Sequence, residues 1–154
     1  MAYVAYFLGG GSRPEAWIVT WNLLIVPCAL YTGLLVTRHG VSVALTSTAA
    51  GVAASLLWGF NHGVPGLEPW WIGLAAVWWL GLGWLLRKAR RGLGLFTLML
   101  GVAAGVDFVL TALDAPMPIY ALGGFKIPMT IIWTFWLGAS LLRDPVMPQV
   151  SEKE

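Results

Sequence analysis

Five long apolar stretches, joined by links too short to fold on their own, constrain this chain more than any other feature. They run over residues 15–37, 41–60, 70–86 and 93–113, and then from 117 or 126 to 142. About 20 mostly apolar residues in a helix cross roughly 30 Å of hydrocarbon. The links "RHG", "NHGVPGLEP", "RKARRG" and "DAPMP" are short, so successive helices must run antiparallel. The expected fold is all-α: an integral membrane bundle of five transmembrane helices, with residues 1–154 forming a single domain. Composition excludes a soluble alternative. Only 10% of the residues are charged and 58% are hydrophobic, with a mean hydropathy of +0.77, where soluble domains carry about 25% charged residues.

Charge orients the bundle. Arg38, Arg87, Lys88, Arg90, Arg91, Arg143 and Lys153 fall on one side of a five-span topology, against Arg13 and Lys126 on the other. The bias predicts a cytoplasmic C-terminus and an N-terminus outside. The cluster Arg87-Lys88-Arg90-Arg91 is accounted for by that bias and requires no nucleic-acid partner; the expected partner is membrane lipid. The opening "MAYVAYFLGGGSRPEAW" has no basic n-region of a cleavable signal, so the first span is expected to remain. The expected location is a cell membrane of bacterial or archaeal inner type, crossed several times.

The polar residues left after the cytoplasmic charges are removed gather in the outer half. Asp107 lies seven residues, about 10 Å, below Asp114 at the outer link. An ionised carboxylate at that depth needs a partner and a protein or water environment. Ala103, Ala104, Thr111 and Asp114 lie on its helical stripe. Lys126 has two readings. In a helix from Met117 it stands about 13 Å deep, level with Asp107 as its counter-ion, with Gly123, Gly124 and Pro128 breaking the helix around it. In the other, residues 115–125 form a loop or re-entrant segment, the helix starts at Lys126, and the lysine snorkels. Asn22, beside a kink at Pro27, adds a polar group to the same half.

Other chemistries have less support. His39 and His62 flank the second helix about 33 Å apart and cannot share a metal; His62 with Glu68 or Asp114 is a weak ligand set, so no metal is expected. Cys28 excludes an intrachain disulfide and reads as a packing residue. No phosphate loop, zinc-protease, nucleophile-elbow or paired-cysteine motif occurs, and no cofactor is implied. Trp17, Trp58, Trp70 and Trp71 fall at the outer boundary as an aromatic belt. Trp21, Trp78, Trp79, Trp133 and Trp136 fall deeper, where each indole N–H needs an acceptor. In outline the chain resembles the tryptophan-rich sensory protein / translocator protein family, but the family's motifs do not occur. Its first link is "TRHGVS", and "WNLLIVP" sits inside the first helix.

Three functions fit these residues. The first is binding or transport of a small hydrophobic or weakly polar molecule, with Asp107, Lys126, Asn22, Thr111, Asp114, His62 and Trp133 as the candidate binding residues. The second is an accessory or assembly subunit of a larger membrane complex. The third is a compact lipid- or isoprenoid-modifying enzyme using Asp107 as acid/base, although no catalytic motif is present. A homodimer is expected, through the Gly101/Gly105 face or the "AAGVAAS" stretch of the second helix.

Overall fold

The computed structural model describes the backbone of residues 15–37, 40–61, 66–114 and 119–143, and side chains within 25–34, 36–37, 40–59, 66–114 and 128–140. Those residues form helices and no strand. In chain order the helices are α1 (Glu15–Val36), α2 (Val41–Asn61), α3 (Glu68–Ala89), α4 (Arg91–Ala112) and α5 (Ile119–Arg143). Among the described residues, three stretches, Val41–Gly59, Glu68–Ala89 and Arg91–Ala112, are long and apolar enough to cross a membrane.

Each helix packs mainly on its neighbour in sequence, so α1 to α5 form a row with a lesser α1–α3 contact. The α3–α4 hairpin is its most extensive pairing. A single residue, Arg90, turns the chain there (φ −145°, ψ 87°), and its N–H bonds to the Leu86 carbonyl at 2.6 Å. The link is thus much shorter than "RKARRG", because helix geometry continues through the charged residues to Ala89 and restarts at Arg91.

Glycine lets these two helices approach. A methyl group on Gly101 would lie 2.8 Å from the Leu80 backbone nitrogen, and one on Gly83 would lie 2.7 Å from that of Leu98. Close backbone approach of this kind is how helices pack in lipid, where burial of apolar surface gives no drive. Gly51 performs the same service for α2, lying against the Trp78 ring. This revises the expected dimer surfaces. Gly101, and Ala50, Gly51, Ala54 and Ser55 of "AAGVAAS", are buried within the chain, while among the described residues no atom comes within 4 Å of a methyl placed on Gly105.

Buried hydroxyls are satisfied mostly by their own helix. Thr32 donates to the Cys28 carbonyl at 2.9 Å, Ser47 to that of Ala44 at 3.1 Å, and Ser55 to that of Gly51 at 2.9 Å. Such back-bonding lets a polar side chain sit in an apolar setting without a partner from elsewhere. Cys28 contradicts its expected packing role: it is free and exposed, and α1 buries Ala29, Thr32, Gly33 and Val36 instead. Those residues recur at helical spacing, and Cys28, one turn before Thr32, lies at the edge of their stripe.

Candidate functional site

Two levels of polar structure lie along α4. The deeper one is built on Thr97, which is fully buried. Its hydroxyl donates to the Leu93 carbonyl at 2.7 Å and accepts the indole N–H of Trp133, in α5, at 2.7 Å. Trp133 also meets Trp79 of α3 edge-on, with centroids 4.6 Å apart, and Trp79 lies 4.6 Å from Trp78. The buried indole N–H therefore has the acceptor its position demands. Thr97 itself was not singled out from the sequence. The available signal was a lone hydroxyl in "LFTLML", halfway along an apolar span.

The upper level holds Asp107, ten residues and about 15 Å further along α4. It is buried at 6% relative exposure and is not left without an interaction. Asp107 follows Phe96 by eleven residues, three turns, and so shares its stripe. Phe96 is one of the α4 residues that meets α5, its ring 5.8 Å from that of Trp136. The carboxylate accordingly belongs to the α5-facing side of α4, while Gly101 faces α3. Thr111, one turn above, is half-buried. Asp114 is exposed in the turn after α4, with φ +50° and its N–H on the Thr111 carbonyl at 3.2 Å.

Helix α5 agrees with the first reading of Lys126, in which the helix begins well before it, but without the expected break. It is helical without interruption from Ile119, so residues 119–125 are not a loop, and neither Gly123, Gly124 nor Pro128 breaks the helix. Proline removes only its own N–H donor and can be carried inside a membrane helix when neighbouring packing compensates. Lys126 stands seven residues into α5, about 10 Å from its start. It also precedes Trp133 by seven residues, two turns, on the stripe continued by the buried Trp133, Leu137 and Ser140. With Trp133 opposite Thr97 and the helices antiparallel, Lys126 and Asp107 stand within about 5 Å of one level. The Lys126 side chain, like those of Asn22 in α1 and Trp17, lies outside the described residues, as does His62 altogether.

The seven candidates thus do not form one cluster. Asp107, Thr111 and the backbone of Lys126 share the upper α4–α5 seam, Asp114 is at its exposed mouth, and Trp133 belongs to the deeper level with Thr97. At the end of the bundle away from Arg90, Trp58 and Trp71 stack at 5.3 Å and 19°, and Trp70 is exposed, an arrangement compatible with a headgroup-level belt. No three His, Cys, Asp or Glu side chains gather at metal-binding range among the described residues. No family model matches the chain, and no curated protein or solved structure shows significant similarity to it.

Proposed function

We propose that this is a five-span membrane protein, with its N-terminus outside and C-terminus cytoplasmic, that binds or transports a small hydrophobic or weakly polar molecule at the outer α4–α5 seam. The observation that carries the reading is the burial of Asp107 at 6% exposure on the α5-facing stripe of α4. A carboxylate held there needs a charge-balancing partner, and Lys126 is the residue at its level on the neighbouring helix. Thr111 and Asp114 continue the polar track toward the outer surface. Asn22, seven residues into α1, and the sequence position of His62, next after α2, agree with that half. Trp133 and Trp79 form the aromatic floor.

The test is a double-mutant cycle of Asp107→Asn and Lys126→Met, combined with native mass spectrometry after gentle extraction. Each single variant loses about 3 kcal/mol of stability by leaving a buried charge uncompensated, and the double variant recovers part of that loss. Wild-type protein carries a discrete added mass that Asp107→Asn lacks. Strictly additive losses would remove the ion pair, and an unchanged adduct on Asp107→Asn would remove the binding role.

A second reading, an accessory subunit of a larger complex, draws on the packing order. With the helices in a row, α5 packs chiefly on α4 and leaves Ile132 and Phe135 outward. In that case the same spectra show stoichiometric larger subunits in place of a small adduct.

A further inference from the structure

An open groove of about 390 Å³ lies between α2 and α3, lined by Ser42, Val43, Thr46, Ser47, Val77, Leu80 and Gly81. Its walls are apolar except for hydroxyls. Those of Ser42 and Thr46 are exposed and, unlike the Ser47 hydroxyl, have no hydrogen-bond partner among the described residues. On α3, Val77, Gly81, Trp84 and Lys88 recur at four-, three- and four-residue steps, so the groove floor continues as one stripe to the helix end. Trp84 is half-exposed there, the Arg87 guanidinium stands 3.9 Å over its ring, and Lys88 is exposed beside them.

From Val77 to Lys88 the stripe covers about 16 Å, close to half of a roughly 30 Å hydrocarbon core and hence to one leaflet. Its order is apolar cleft, hydroxyls, interfacial tryptophan, then two cations. That order matches a phospholipid lying along the helix, chain in the groove and phosphate at the rim. We propose that the α2–α3 groove is a binding site for one anionic phospholipid, its acyl chain against Val77, Leu80 and Gly81 and its headgroup at Arg87 and Lys88. The site rests on the membrane reading but not on the outer seam. Charge complementarity selects the occupant: a second apolar helix gains nothing from the basic rim, whereas an anionic headgroup does.

The test compares retention of phosphatidylglycerol and phosphatidylcholine of equal chain length by the detergent-purified full chain, measured by native mass spectrometry. Wild-type protein retains the anionic lipid about 25-fold better, about fivefold for each of the two cations, and Lys88→Gln lowers that preference by about fivefold, the effect of one basic residue near the headgroup. Thr46→Phe, which fills the exposed groove, lowers retention of both lipids. Arg91→Gln, a charge removed off the stripe, leaves the preference intact. Equal retention of the two lipids by the wild type, an equal effect of Arg91→Gln, or unchanged retention by Thr46→Phe each overturns the site. A chain that stays monodisperse without detergent overturns the membrane reading itself, which is a distinguishable failure.

Discussion

The Thr97–Trp133 hydrogen bond offers the sharpest test of how α5 is held, and Thr97→Val is the perturbation to make. Valine keeps the shape of threonine and replaces the hydroxyl with a methyl. The Leu93 carbonyl loses only a second donor, since the Thr97 backbone N–H still bonds it within the helix. The Trp133 indole, whose N–H sits 2.7 Å from the Thr97 oxygen in a residue only 3% exposed, loses its acceptor outright. An unsatisfied buried donor costs about 1–3 kcal/mol. Interhelical hydrogen bonds in membrane proteins average about 0.6 kcal/mol and reach about 1.7, because the inserted unfolded chain also finds partners. The full burial of Thr97 places this bond at the upper end, about 1–2 kcal/mol. The assay is reversible unfolding in mixed micelles followed by circular dichroism, on Thr97→Val, Trp133→Phe and the double variant. A coupling of about 1 kcal/mol or more is expected, since removing both partners leaves nothing unsatisfied. A coupling below about 0.3 kcal/mol would show that the bond does not hold α5 to α4.

Other consequences are as accessible. Gly101→Ala should cost about 1–3 kcal/mol, because its methyl meets Leu80 backbone as well as side chain and no rotamer change relieves it; Gly105→Ala, with open space around it, should be neutral or stabilising by up to about 1 kcal/mol. The same unfolding assay reads both. In a Cys28→Ser background, D114C should react with a membrane-impermeant maleimide in intact cells and K88C only after permeabilisation; the reverse pattern would invert the proposed orientation. Alanine cycles at Trp58 and Trp71 should give a coupling of about 0.5–1.5 kcal/mol for the stacked pair, checked by thermal unfolding in detergent.

Spans are legible in a sequence because transfer into hydrocarbon is nearly a property of each residue by itself, summed over a window. The positions of α2, α3 and α4, the alternation of direction, and the depth of Asp107 all follow from such sums and from helical rise. The helix Glu68–Ala89 extends past the expected third span, residues 70–86, at both ends, because helix geometry carries Glu68, Arg87 and Lys88 to the interface without strain. Faces are another matter. In water an apolar stripe marks the packed side of a helix, but here lipid and core are equally apolar, so Phe135 at 76% exposure and Leu137 at 6% look alike in the chain.

Only the tertiary structure, therefore, could turn Cys28 outward, assign Gly101 and not Gly105 to a helix contact, and pair Thr97 with Trp133 across 36 residues. It also decided that α5 is unbroken from Ile119, a choice that proline and glycine propensities leave open because neighbouring helices can compensate for a missing bond. The sequence by itself set Asp107 seven residues before Asp114 and put the basic residues Arg87 and Lys88 at the end of α3. That Asp107 lies on the α5-facing stripe, and that a groove opens between α2 and α3, are facts about two helices at once. They arise from close backbone contacts at particular small residues, which no sum over single residues contains.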